Sequence, residues 1–183
     1  MGNFSPTKAE QQATIVDAVQ NVVKDISTNP ENAKATFSAV STLHEGLLAD
    51  IRIRNFDLIA DEPKSLGGSD EGPNPVELVL GAFAACQEIV IAAYAAVLDI
   101  PVQRIDVSAD GDLDLRGFFN VDESVRPGFE NIKYKTDIYT TEKDQQKLKQ
   151  LEFFALNRCP VLDILQAPVP VSGELHFKEA VAV

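Results

Sequence analysis

The chain has 183 residues, of which 45% are hydrophobic, and a formal net charge of −12. This is enough apolar material for one sizeable core, so the length predicts one main domain. A surface this acidic repels phosphate backbones, which argues against a nucleic-acid partner.

The first 32 residues predict a helical extension that precedes the main domain. Ser5 suits a helix cap and Pro6 suits the first helical position. Apolar residues follow at helical spacing: Ala13, Val16, Val19, Val22, Val23 and Ile26. The polar start does not resemble a secretory signal, and two cysteines do not make a disulfide framework. We therefore expect a cytoplasmic protein with reduced thiols.

The main domain, residues 33–183, opens with two or three strands over residues 33–60 and a loop rich in Gly, Pro and Asp. A long helix follows. Asn74 caps it, Pro75 takes its first position, and Glu77 completes a capping box.

The stretch from Leu78 to Leu98 is nearly all apolar and long enough to span a bilayer. Gln87 and Glu88 lie at its centre, where a carboxylate is costly in lipid. We therefore interpret the stretch as the buried helix of a soluble protein and expect no membrane contact.

Two alternating strands are predicted within residues 102–140, followed by an amphipathic helix with Leu148, Leu151, Phe154 and Ala155 on one face. Cys159 and Pro160 open a shorter helix, and the segment PVSGELHF predicts a last strand. Helices and strands mix without a regular βαβ order, so the predicted class is α+β.

The two cysteines, Cys86 and Cys159, have different surroundings. The helix face of Cys86 is entirely apolar: Val79, Ala82, Phe83, Ile89 and Val90. Such surroundings raise a thiol pKa, so a reactive Cys86 needs a partner from elsewhere in the chain. The candidates are His44, Arg52, Arg54, Arg116, Arg126 and Arg158. Cys159 is predicted at a helix N-terminus, which favours a thiolate.

Two other interpretations of these residues exist. Both cysteines can be small buried hydrophobes without a chemical role. His44 and His176 could join them in a metal site, but zinc ligands usually occur in tight pairs and these four residues are isolated. We therefore expect no metal.

The sequence GGSDEGPNPVELVLGAFAAC, followed about seventy residues later by NRCPV, resembles the OsmC/Ohr family of thiol-dependent hydroperoxide reductases. The resemblance covers roughly residues 33–178. It implies an OsmC-like α+β fold, in which wrapped antiparallel sheets surround two central helices of an intertwined homodimer.

The resemblance also implies a chemistry and site residues. Cys86 matches the cysteine that attacks the peroxide and becomes a sulfenic acid, and Cys159 matches the one that then forms a disulfide with it. The implied substrates are organic hydroperoxides, held in an apolar pocket beside Phe83. A dithiol, lipoyl-dependent in some members, restores the thiols, and no further cofactor is implied. Such an enzyme is an antioxidant peroxidase of the oxidative stress response.

The chain departs from the best-studied members at two positions. They carry a glutamate where this chain has Val76, with Glu77 one residue later. They also use an arginine in the early strands, where the matching stretch STLHEG offers His44. A divergent subgroup is therefore implied, and two alternatives stay open: a protein that binds a small apolar ligand, and a redox sensor. A working pair predicts that the Cα atoms of Cys86 and Cys159 approach within about 7 Å, or need only a modest loop shift.

Overall fold

A computed structural model describes residues 7–179 of the chain. Helices and antiparallel strands are mixed, as the sequence predicts. In chain order the elements are α1 (Lys8–Thr28), β1 (Val40–Leu43), β2 (Ala49–Ile53), β3 (Phe56–Ala60), α2 (Pro75–Val97), β4 (Val102–Asp112), α3 (Leu115–Phe118), β5 (Asn131–Thr140), α4 (Gln145–Asn157) and α5 (Pro160–Gln166), with 3₁₀ turns at Pro30–Ala33 and Lys64–Leu66.

Helix α2 is the centre of the fold, and its start follows the predicted capping box. The Asn74 side chain accepts the Glu77 backbone N–H at 2.9 Å, and the Glu77 carboxylate accepts the Asn74 backbone N–H at 2.8 Å. Pro75 takes the first position, where a missing N–H has no cost. The capping box fixes where α2 begins and therefore which residues lie on each face.

Only one face of α2 is buried within this chain. Phe83, Gln87, Ile91 and Ala95 follow at four-residue spacing and are buried, whereas Ile89 is 69% exposed. Among the described residues, α2 is the one helix whose length and hydropathy would allow it to cross a membrane. Here it packs against α1, β4, α4 and α5.

The strands form two separate antiparallel sheets. The first has the order β1-β2-β3, with Val40 opposite Arg52 and Ala49 opposite Ala60. The second is the pair β4-β5, which extends from Val102 opposite Thr140 to Asp112 opposite Asn131. Strand β4 lies on α2, so the second sheet covers the buried face of the central helix.

The core has two clusters along α2. The first joins α2 to α4 through Ile91, Ala95, Ile100, Leu151 and Ala155. The second contains both cysteines and lies nearer the start of α2; its members are Phe83, Cys159 and Leu162, with Cys86, Val90, Ala109 and Val161 packed against them. The predicted apolar face of α4 is thus partly confirmed by Leu151 and Ala155.

Helix α1 lies against α2, with no fully buried residue of its own. Thr7 caps it and forms a capping box with Glu10. The start that the sequence predicts, at Ser5 and Pro6, lies outside the described residues. The predicted apolar face is confirmed at Val16, Val19 and Ile26, which are half-buried, but Ala13, Val22 and Val23 are exposed. The other half-buried residues are Gln12 and Ile15.

The prediction of a last strand is wrong for the single chain. Residues 168–179 have no regular secondary structure and form no ladder with any described strand. A strand needs a neighbour for its backbone hydrogen bonds, and this segment finds none. Its apolar side chains are therefore in solvent: Val171 and Leu175 are 90% exposed, and Phe177 is 99% exposed. Residues 34–39, also predicted as strand, are irregular for the same reason, and β1 begins only at Val40.

Candidate functional site

The two cysteines meet in the second core cluster although 73 residues separate them. Their Sγ atoms lie 3.2 Å apart. Both are free thiols; Cys159 is 2% exposed and Cys86 is half-buried. An S–S bond is about 2.05 Å long, so an approach of roughly 1 Å between the sulfurs would be enough for a disulfide.

The first turn of α5 packs against both cysteines. Cys159 is the N-cap of α5, and its Sγ accepts the backbone N–H of Leu162 at 3.5 Å. Pro160 occupies the first helical position, as the sequence predicts. Val161, in the same turn, packs against the cluster that contains both sulfurs. The start of this short helix therefore supplies an N–H donor to Cys159 and lies beside Cys86.

Burial raises the pKa of the Cys86 thiol above its ordinary value. The Val161 N–H acts in the opposite direction, and the neighbouring Cys159 adds to the increase. The direction is the one that the sequence predicts, but the burial comes from α5 and β4 as well as from Phe83 and Val90 of the helix face, since Val79 and Ile89 are exposed. At neutral pH, Cys86 is mainly a thiol and only a minor fraction is thiolate.

Aromatic and aliphatic side chains surround the pair. Phe83 is fully buried in the same cluster, one helical turn before Cys86, and its ring meets the edge of Tyr134 at a centroid distance of 4.9 Å. Ala109 of β4 packs against the cluster from the sheet. Ala109 and Tyr134 lie opposite each other on β4 and β5. Both are distant in sequence from the cysteines, and no pattern in the sequence marks them as neighbours of the thiols.

His44 lies in the β1-β2 hairpin and pairs with Asp50, with 2.7 Å between His44 Nε2 and Asp50 Oδ2. Its side chain is about half exposed. The contact that the Cys86 sulfur makes is instead with the Cys159 sulfur.

The other cationic candidates also have local partners. Arg52 pairs with Asp57, and Arg116 pairs with Asp114. Arg54 and Arg158 lie over phenyl rings, those of Phe56 and Phe153. Arg126 differs, because it lines a cavity together with Phe83 and Leu162 of the thiol cluster.

Val76 and Glu77, although adjacent in sequence, have different surroundings. Glu77 is used in the capping box of α2. Val76 lines a cavity of about 690 Å³ that also includes Ala109 of the thiol cluster. A second cavity, of about 420 Å³, includes Phe83 and Leu162. Each cavity is thus lined in part by residues of the thiol cluster.

Asp61 is a buried carboxylate that the sequence did not single out. It is 1% exposed and accepts the backbone N–H groups of Glu62 at 2.8 Å, Ser69 at 2.9 Å and Glu71 at 3.2 Å. Gly68 lies beside Asp61, and a Cβ there would fall 1.8 Å from the carbonyl oxygen of Glu62 and 2.8 Å from Asp61 Oδ1. Asp61 thereby folds the loop that leads into α2 and the Val76 cavity.

No group of three or more His, Cys, Asp or Glu residues within residues 7–179 has the arrangement of a metal site. His176 instead pairs with Glu174 in the C-terminal segment, with 3.1 Å between His176 Nε2 and Glu174 Oε2.

The comparisons with known proteins concern the family and the fold. The family model described as OsmC-like protein matches residues 68–174. No curated protein matches the chain.

Several solved structures have a similar fold. An OsmC-like protein from Mycoplasma pneumoniae is 18% identical, with a TM-score of 0.62 over 74% of this chain and 90% of that one. An organic hydroperoxide resistance protein from Legionella pneumophila is 21% identical, with a TM-score of 0.52 over 73% and 93%. Another from Elizabethkingia anophelis is 17% identical, with a TM-score of 0.52 over 74% and 91%. At these identities the similarity shows the fold.

Proposed function

Because the chain belongs to the family of OsmC-like proteins, we propose that it is a thiol-dependent peroxidase that reduces organic hydroperoxides through Cys86 and Cys159. The observation that carries the proposal is the 3.2 Å distance between the two sulfurs. Solved relatives described as organic hydroperoxide resistance proteins support the substrate class.

The difference in exposure supports a division of roles. Cys86 is half-buried and reachable, whereas Cys159 is enclosed. The Cys86 thiolate attacks the outer peroxide oxygen; the O–O bond breaks, Cys86 becomes a sulfenic acid, and the alkoxide leaves as an alcohol after taking a proton. The Cys159 sulfur then displaces the hydroxyl, so that a disulfide forms and water leaves.

A dithiol completes the proposed cycle. One of its thiolates attacks the disulfide, a mixed disulfide forms, and its second thiol releases the two protein thiols while the dithiol is oxidised. A lipoyl-type dithiol is one such reductant. Reduced resting thiols, as in a cytoplasmic protein, are the state that the cycle needs.

A second copy of the chain is proposed as a structural partner. The uncovered apolar surfaces support it: Ile89 on α2, and Val171, Leu175 and Phe177 in the C-terminal segment. Large exposed apolar surfaces of this kind usually mark an interface. A homodimer would cover the open side of α2 and give the segment 168–179 a strand to pair with.

The test is the reaction of the reduced protein with cumene hydroperoxide in the presence of dihydrolipoamide or dithiothreitol. Wild type should consume one dithiol per peroxide. Cys86→Ser should lose the activity, and Cys159→Ser should accumulate a sulfenic acid on Cys86 that dimedone traps. Peroxide consumption by Cys86→Ser at the wild-type rate would exclude the mechanism.

A protein that only binds an apolar ligand is the second candidate function, and the raised pKa of Cys86 together with Val76 favours it. It predicts no dimedone adduct at low peroxide concentration. A redox sensor on the same scaffold predicts the adduct and the disulfide, with very slow turnover by the dithiol. The three functions therefore separate in one set of measurements.

A further inference from the structure

The two cavities beside the thiols have one lining residue in common. The Phe83 compartment, of about 420 Å³, is lined by Phe83, Ile132, Tyr134, Leu162 and Leu165 among others. The Val76 compartment, of about 690 Å³, is lined by Val76, Leu80, Ala109, Leu115 and Phe118 among others. Phe129 lines both. Its side chain therefore stands between them.

The backbone makes room for this ring at one position. A Cβ on Gly111 of β4 would lie 2.5 Å from Cε1, 2.7 Å from Cδ1 and 2.9 Å from Cζ of Phe129. Gly111 has no positive φ, so its backbone does not require glycine. The absence of a side chain at Gly111 is needed for the position of the Phe129 ring.

Both compartments touch the cluster that holds the cysteines. Phe83 and Leu162 of the first, and Ala109 of the second, belong to that cluster or pack against it. A molecule in either compartment therefore lies against a residue of the cluster that contains Cys86, with Phe129 between the two compartments.

The charged groups of the compartments differ. The Val76 compartment has four carboxylates at its wall, those of Glu62, Glu77, Asp110 and Asp112, and no basic residue. The Phe83 compartment has Arg126 and Glu130. The acidic wall disfavours an anionic group, so the Val76 compartment suits the uncharged part of a substrate.

We propose that Phe129 is a specificity-determining residue: its ring divides the cleft beside the thiols and restricts the protein to compact, uncharged hydroperoxides of the aralkyl or short alkyl type. The inference rests on the proposed function in naming hydroperoxides as the substrates. The division of the cleft concerns binding alone. It is therefore tested with unreactive alcohols.

The probes are 2-phenyl-2-propanol, which is the alcohol that cumene hydroperoxide yields, and the elongated 8-phenyloctan-1-ol. Their dissociation constants for the reduced full-length protein are measured by NMR titration. Phe129→Ala should improve the affinity for the elongated alcohol about tenfold or more, which corresponds to roughly two further buried methylene groups. The affinity for the compact alcohol should change less than about threefold.

Two further variants separate the ring's role from general loosening of the fold. Gly111→Ala retains the Phe129 ring but displaces it, and should shift selectivity in the same direction. Added to Phe129→Ala, the Gly111→Ala change should have no further effect, because the ring it displaces is gone. Phe118→Ala removes a ring that lines the Val76 compartment but not the Phe83 compartment, and should change the ratio of affinities much less.

An unchanged ratio in both Phe129→Ala and Gly111→Ala, or an equal shift in Phe118→Ala, would overturn the proposal. The peroxidase assay is kept separate. If wild type reduces no hydroperoxide but the ratio of alcohol affinities shifts as expected, the proposed function fails and the division of the cleft stands. If peroxidase activity is present but the ratio of alcohol affinities does not shift, the proposed function stands and the division of the cleft fails.

Discussion

The side-chain amide of Gln87 donates a hydrogen bond to the carbonyl oxygen of Ala155 at 3.2 Å. Gln87 follows Cys86 on α2, and Ala155 lies four residues before Cys159. The last carbonyls of a helix have no partner within it, and this bond supplies one at the end of α4. It therefore fixes the two segments that carry the cysteines relative to each other.

Replacing Gln87 with Leu should lower the free energy of unfolding by about 1–3 kcal/mol, because the buried Ala155 carbonyl loses its donor. Formation of the Cys86–Cys159 disulfide with diamide should also slow. Chemical denaturation and the rate of thiol loss measure the two effects. Gln146→Leu, on the exposed side of α4, is the matched control, and an equal loss of stability there would contradict this role for Gln87.

The reactivity of Cys86 should depend on pH in the direction of its raised pKa. Burial disfavours the thiolate, so the rate of reaction with iodoacetamide should be low at pH 7 and continue to rise above the ordinary thiol pKa of about 8.5. The measurement is the pH profile of alkylation in Cys159→Ser, with mass spectrometry to locate the adduct. A plateau reached below pH 7 would show an activated thiolate and contradict this prediction.

Asp61 should contribute to stability in a pH-dependent way. Burial acts to raise the pKa of Asp61, but the backbone N–H groups of Glu71, Glu62, Ser69 and Asp70 outweigh it and lower the pKa. A lowered folded-state pKa means that the contribution is complete above the unfolded-state pKa of about 3.9 and is lost as the pH falls further, through the folded-state value.

Asp61→Asn should therefore lower the melting temperature by several degrees at pH 7, since an amide NH₂ would face a backbone N–H. The difference from wild type should shrink towards pH 3. Asp70→Asn, in the same loop but exposed, is the control. A constant difference across this pH range would mean that the ionised carboxylate is not the stabilising group.

The C-terminal segment should decide the oligomeric state. Phe177→Ser and Leu175→Ser remove exposed apolar side chains, so they should weaken the proposed homodimer without destabilising the single chain. Light scattering coupled to size-exclusion chromatography gives the mass as a function of concentration. Glu174→Ser is the control at a neighbouring position, and a wild type that elutes as a monomer at all concentrations would remove the dimer from the proposal.

The sequence alone was sufficient for the local structure around each cysteine. The start of α2 at Pro75 and the cap of α5 at Cys159 follow from short-range backbone hydrogen bonding, which a few neighbouring residues decide. The apolar face that helps to raise the pKa of Cys86 follows from helical periodicity in the same way. The family resemblance, now shown by the match over residues 68–174, rests on these same motifs.

What lies opposite each cysteine was decided only by the tertiary structure. The sulfur contact, the Gln87 bond to Ala155 and the Phe129 ring over Gly111 each join residues that are distant in sequence. Such contacts depend on how α2, β4 and α4 pack, and no periodic pattern encodes them. The predicted last strand depends on such contacts too. PVSGELHF has the alternation of a strand, but a strand also needs a neighbouring strand to pair with. Residues 7–179 of a single chain do not supply one.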